Sequence, residues 1–213
     1  MKKLTGILAF CVTCILLTAV NLGCTSQADN NKNTTNTSKG KDMKTLVAYF
    51  SRLDENYGVG YITKGNTEII AEMIAKKTSA DLFHIETVTP YPKEYGPCTD
   101  VAKKEVQSNA RPEIKGDIEV EKYDVIYIGY PNWWSEPPMA VFTFIEKHNW
   151  QGKIVIPFCT HEGSGLGVTE QSIKKACKGA TLRDGLAVQG TVAQNSRDKA
   201  EAAVNNWLKN IEK

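Results

Sequence analysis

The chain has 213 residues, a formal net charge of +2 and 41% hydrophobic residues. That is enough for one α/β domain with a full core, and too little positive charge to indicate a nucleic-acid partner. Its six cysteines fit neither a disulfide scaffold nor a metal site: Cys11 and Cys14 lie in the apolar leader, and no pair among the rest has ligand spacing. Cys98, Cys159 and Cys177 read as buried free thiols.

Met1-Lys2-Lys3 is a short basic start, and Gly6 to Val20 is almost wholly apolar or small. This is too short for a comfortable membrane span and suits a secretory signal. It ends at Asn21-Leu22-Gly23-Cys24, which resembles the lipobox of bacterial lipoproteins, although the leucine usual three places before the cysteine is replaced by Asn21. The expectation is a signal peptide over 1–23, lipidation of Cys24 and a place outside the cytoplasmic membrane. Residues 24–43 are rich in Asn, Thr, Ser and Lys, with almost nothing to bury, and read as a disordered tether. Such a coil reaches about 25 Å. Without the two leader lysines and the tether's net +1, the domain from Lys44 onward carries −1.

Lys44 to Phe50 is a mostly apolar strand. From Thr67, Ile69, Ile70, Met73 and Ile74 mark one helical face. Asp81 to Thr87 alternates, with Phe83, Ile85 and Thr87 on one side, as an edge strand with one wet face does. Thr99 to Gln107 is a shorter, polar helix. Tyr123 to Tyr130 is a buried central strand, and Met139 to Ile145 a helix started by Pro137-Pro138. Lys153 to Phe158 is the next buried strand, Thr169 to Cys177 a helix and Thr181 to Val188 a final strand. Ala200, Ala203, Val204, Trp207, Leu208 and Ile211 repeat as the inner face of an amphipathic helix. Five strands and five helices in alternation imply an α/β fold, a doubly wound parallel sheet with helices on both faces. A ligand then sits at the carboxyl ends of the strands.

Three loops lie there. After strand one come Ser51-Arg52 and, further on, Lys64-Gly65-Asn66-Thr67 at a helix start. The first turn of a helix has unpaired N–H groups and the positive end of a dipole, a cradle for phosphate. Ser51 and Thr67 can add hydroxyls and Asn66 an amide. The plainer alternative is an ordinary strand–loop–helix with Asn66 as N-cap. After strand three comes Pro131-Asn132-Trp133-Trp134, whose aromatic surface suits a flat heteroaromatic ring. Equally, one tryptophan can cap the core and the other pack on a helix. After strand four, Thr160-His161-Glu162-Gly163-Ser164-Gly165 lets backbone groups approach the polar rim of such a ring. His161 and Glu162 look like a catalytic pair, but a loop histidine bonded to the backbone is the preferred reading, and Ser164 lacks the glycines of a hydrolase elbow.

Together, Ala48-Tyr49-Phe50-Ser51-Arg52, Lys64-Gly65-Asn66-Thr67, Gly129-Tyr130-Pro131-Asn132-Trp133-Trp134 and Pro157-Phe158-Cys159-Thr160-His161-Glu162-Gly163-Ser164-Gly165 resemble the flavodoxin-like family, in its bacterial lipoprotein and NAD(P)H-dehydrogenase-like branch. The resemblance runs from Lys44 to the C-terminus. It implies a five-stranded sheet in order 2-1-3-4-5 and bound FMN. It puts Ser51, Asn66 and Thr67 at the phosphate, Pro131, Asn132, Trp133 and Trp134 along the isoalloxazine, and Thr160, His161, Gly163 and Ser164 at the ring's polar edge. Arg52 stands as a further candidate cofactor contact. No catalytic residue and no metal ligand is assigned.

The chain departs from that pattern in three ways. Leu53 to Thr63 are inserted in the phosphate loop. The domain is near neutral, where carrier flavodoxins are acidic and dock by charge. Pro131 to Pro138 hold no glycine, so a positive φ there is expected to be costly. The implied function is electron transfer by an FMN protein tethered outside the membrane, with a redox protein or a small donor or acceptor as partner. An FMN-dependent NAD(P)H or quinone oxidoreductase, or a non-redox ligand-binding lipoprotein, are the alternatives.

Overall fold

The computed structural model describes residues 43–211. The expected signal peptide, lipidated Cys24 and all of the tether but Met43 fall on residues outside that range.

In chain order the elements are β1 (Thr45–Tyr49), a hairpin of β2 (Asp54–Asn56) and β3 (Gly60–Ile62), α1 (Asn66–Thr78), β4 (Asp81–His84), α2 (Tyr95–Ser108), β5 (Val125–Pro131), α3 (Met139–Glu146), β6 (Ile154–His161), α4 (Thr169–Ala176), β7 (Thr181–Leu182), β8 (Leu186–Gln189), α5 (Gly190–Asn195) and α6 (Arg197–Ile211). The main sheet runs β4-β1-β5-β6-β7, with β8 also on β6, and its pairs are all parallel. The expected order 2-1-3-4-5 is present, with the fifth strand in two pieces.

The central strands are apolar on both faces because helices cover both. Leu46 and Ala48 point into a core shared with Ile126, Ile128, Phe144 and Ile173. Val47 and Tyr49, one residue out of phase, point into a second core with Ile70, Ile74, Val204 and Trp207. α1, α5 and α6 thus line one face, and α3 and α4 the other. At the edge, Phe83 and Ile85 turn inward while Leu82 stays 45% exposed, as the alternation implied. Gly129 in β5 faces Phe158 in β6. A Cβ there would come within 2.1 Å of the Phe158 ring.

Besides the β2–β3 hairpin, three elements differ from expectation. Thr181 to Val188 is not one strand. Leu182 pairs with Val155 and Leu186 with Phe158, so one extra residue bulges between them. Lys153 and Val155 offer their carbonyls to Thr181 and Arg183. Two residues on, Pro157 faces the same side and has no N–H to continue the ladder. α2 begins at Tyr95, earlier than expected. Gly96-Pro97 looks like a helix breaker, but in a first turn the missing N–H of proline has no partner to lose. α5 was not expected at all, since six residues are too few to show a helical stripe.

Candidate functional site

The carboxyl ends of β1, β5 and β6 open into a cleft with two adjoining compartments. One, of about 150 Å³, is lined by residues that include Asn66, Pro131, Asn132, Trp133, Thr160 and His161. It draws on all three loops singled out above. The other, of about 240 Å³, is lined by Arg52, Trp134 and the α2 residues Cys98, Thr99 and Ala102. Asn56, Tyr95, Asn132 and Trp133 belong to both. Gly163 and Ser164 are exposed and line neither compartment.

At the amino end of α1 the N-cap is Gly65, not Asn66. Ser51 Oγ accepts the N–H of Glu68 at 3.1 Å, and the Glu68 carboxylate accepts the N–H of Gly65 at 3.2 Å, a reciprocal cap. This leaves the N–H groups of Asn66 and Thr67 as the open donors of the first turn. Gly65 is required by contact: a Cβ would fall 2.0 Å from Ser51 Oγ. Thr67 and Thr160 are buried and share a hydroxyl–hydroxyl bond of 2.7 Å, which ties α1 to β6. Lys64 turns away to pair with Glu72. The Arg52 guanidinium donates to the carbonyls of Glu55, Pro92 and Lys93.

The insert is the antiparallel hairpin β2–β3, paired Asp54 to Ile62 and Asn56 to Gly60. It forms a wall of the cleft. Glu55 accepts the N–H of Tyr95 at 2.8 Å, and the Tyr57 and Tyr95 rings lie 5.7 Å apart. Asn56, Tyr57 and Tyr95 are cleft residues that the sequence did not single out.

The tryptophan loop is a tight turn. Trp133 and Glu136 exchange backbone hydrogen bonds of 2.9 and 3.0 Å, and Trp134 and Ser135 sit at φ +54° and +66°, as in a type I′ turn. The expectation that this glycine-free loop avoids positive φ is overturned. Trp134 is held there by its Nε1–H to the Thr99 carbonyl at 3.1 Å and by Lys103 over its ring. Trp133 packs edge-on against Phe50 and Tyr91. Both tryptophans therefore have packing roles as well as cleft faces. Ser135→Gly removes left-handed strain without touching a cleft residue, so it should raise stability by about 1 kcal/mol. A urea midpoint at or below wild type would contradict this.

In the third loop, His161 Nδ1 accepts the N–H of Gly163 at 2.9 Å. Its neutral ring therefore carries the proton on Nε2. Burial holds its pKa below the usual histidine value, against the opposing pull of Glu162. The hydrogen bonds of Glu162 go elsewhere: its carboxylate accepts the N–H of Thr191 at 2.7 Å and the Thr191 hydroxyl at 3.1 Å. Asn132 Nδ2 donates to the Gly165 carbonyl at 2.9 Å and locks the second loop to the third. Cys98, Cys159 and Cys177 are free and buried. Burial pushes the Cys159 thiol up to about 12 and raises the other two, so all three stay protonated.

α5 supplies the last contact. Gln194 Nε2 donates to Asn66 Oδ1 at 2.8 Å and to the Lys64 carbonyl at 2.7 Å, which fixes the Asn66 amide with Nδ2 as its free end. Gly190 approaches so closely that a Cβ would lie 2.3 Å from that Nδ2. No pattern in the sequence pointed to Gln194.

No curated protein matches the chain. Among solved structures, a protein of Bacteroides eggerthii designated a flavoprotein is 30% identical, with 80% of this chain and 99% of that one covered and a TM-score of 0.62. A second, from Bacteroides uniformis and designated likewise, is 28% identical over 79% and 99%, TM-score 0.60. A flavoprotein of Lactobacillus acidophilus solved in complex with FMN is 22% identical over 74% and 97%, TM-score 0.54, a likeness of fold. The flavodoxin family model matches residues 44–211. A match across the whole described domain, on a sheet of this strand order, makes the chain a member of the flavodoxin family.

Proposed function

We propose that the smaller compartment holds FMN and that the protein is a redox flavoprotein. The observation that carries this is the convergence of Asn66, Pro131 to Trp133, and Thr160-His161 on one cavity at the carboxyl edge of the sheet. The chain's donors suit the group. The open N–H groups of Asn66 and Thr67, the Asn66 amide and the Ser51 hydroxyl proton would hold the phosphate at the positive end of a 13-residue helix. Pro131 and Trp133 would flank the ring, and His161 Nε2–H would face its polar edge. The Glu162 carboxylate is turned to Thr191, whose N–H and hydroxyl it accepts. When bound, FMN supplies one- and two-electron chemistry, and the protein positions it.

The test is a visible spectrum and fluorescence titration of the purified full chain with FMN. Quenched flavin fluorescence, weakened at least tenfold by Trp133→Ala, is the expected result. A colourless protein that leaves added FMN fluorescent would refute the reading. Gln194→Leu should weaken FMN binding by about tenfold, one charge-assisted hydrogen bond's worth, and leave riboflavin, which lacks the phosphate, unaffected. An equal loss for both would remove Gln194 from the phosphate site.

The partner is a redox protein or a small donor or acceptor. A domain charge of −1 gives little electrostatic steering. The hairpin wall of Asn56 and Tyr57 narrows the cleft mouth and favours small molecules, so an NAD(P)H or quinone oxidoreductase is the second reading. Steady-state NAD(P)H oxidation with a quinone separates it from a carrier. We further propose that the chain is a lipoprotein held outside the cytoplasmic membrane. The basic start, the apolar run to Val20 and Gly23-Cys24 support this. Radiolabelled palmitate incorporated by the wild type and lost in Cys24→Ser is the expected outcome.

A further inference from the structure

The larger compartment has its own chemistry. Tyr95, Trp133 and Trp134 give it three aromatic walls, and the α2 residues Cys98, Thr99 and Ala102 give it a small-residue side. Its volume of about 240 Å³ lies just under the about 300–1,000 Å³ of drug-sized sites. The cation on its lining is Arg52. The guanidinium rests on three backbone carbonyls, which are dipoles and not charges, and no carboxylate among the described residues forms an ion pair with it. Three of its five N–H groups meet those carbonyls, which leaves donors over. A half-buried guanidinium in no ion pair among the described residues, with donors left over beside aromatic walls, favours an anion on a flat ring.

We propose that this compartment binds a flat aromatic anion, a bicyclic ring whose carboxylate or ionised hydroxyl faces Arg52, next to FMN. Aryl carboxylates and hydroxyquinone anions share that chemistry. The proposal rests on the assignment of FMN to the smaller compartment. Because Asn56, Tyr95, Asn132 and Trp133 belong to both cavities, the two ligands would be separated by no more than a side chain. This gives Arg52 a role at the second ligand and not at the FMN phosphate, which the other compartment serves through Asn66.

The experiment is a fluorescence titration of the full chain with 1-hydroxy-2-naphthoate, without FMN and again saturated with it. Saturable binding is expected in both states, with dissociation constants within about threefold. The neutral methyl ester should bind at least tenfold more weakly, and Arg52→Gln should abolish that preference. Arg52 also anchors the hairpin, so a second variant tests the cavity itself. Ala102→Leu, which extends a side chain from α2 into the compartment, should weaken naphthoate at least tenfold and change FMN affinity less than twofold. Displacement of naphthoate by FMN, or undiminished binding to Ala102→Leu, would overturn the proposal. A chain that takes FMN but not naphthoate refutes this site alone. A chain that takes naphthoate but not FMN refutes the FMN assignment and leaves an aromatic-anion site.

Discussion

Gly129→Ala should destabilise the protein by about 3 kcal/mol, the upper part of the range for overpacked cores. The added Cβ would meet the Phe158 ring at 2.1, 2.4 and 2.7 Å, well inside contact distance. Phe158 is fully buried and lies on β6, with β5 on one side and β8 on the other, so the ring cannot retreat without opening the sheet beneath α1 and α6. Gly129 has no positive φ, so the effect is steric and not conformational. Gly60→Ala is the matching control: its φ is +68° and nothing lies within 4 Å of the new atom, so it reports the left-handed cost alone, about 1 kcal/mol. Urea unfolding of both variants checks this. A Gly129→Ala loss no larger than the Gly60→Ala loss would show that the β5–β6 contact can relax.

Gly65→Ala should cut FMN affinity by about a hundredfold, near 3 kcal/mol, the upper end for the loss of one hydrogen bond to a charged group. At φ −69° the backbone accepts alanine without strain. The methyl, however, would stand 2.0 Å from Ser51 Oγ and 2.9 Å from the Arg52 carbonyl. Ser51 must rotate away, which frees the Glu68 N–H from its cap and removes a hydroxyl from the cradle. Stability should fall by only about 1 kcal/mol, a cap's contribution. Isothermal titration with FMN and with riboflavin separates the two effects. Riboflavin should keep its affinity, because the change lies at the phosphate end. Equal losses for both ligands would trace the defect to a loosened cleft and count against a phosphate site at Gly65.

The parts of this site that the sequence disclosed are those whose physics is local. Apolar runs such as Val125 to Tyr130 mark buried strands. Gly65-Asn66-Thr67 marks a helix start, and glycine clusters after Thr160 mark a loop at a strand end. The parts it concealed depend on neighbours far along the chain. Asn66 was legible, but not that Gln194 orients it from a helix too short to show a stripe. Glu162 suggested a partner for His161, and only the fold reveals Thr191 as what it holds. Trp134 and Ser135 occupy a conformation that local preference argues against, maintained by the Thr99 carbonyl on another element. Pro157 is a different case. Its missing N–H interrupts pairing on one side of β6, yet Thr181 to Val188 read in the sequence as one strand.

The reach of Gln194 back to Asn66, 128 residues earlier, has a kinetic meaning. Loop closure over that distance comes late in folding, since non-local contacts return their stabilisation only after intervening structure is in place. The amino end of α1 around Asn66 is therefore among the last features to mature, although its own residues emerge from the ribosome early. FMN should leave the rate of the first refolding phase unchanged and slow unfolding instead, acting as a clasp fastened after the garment is on.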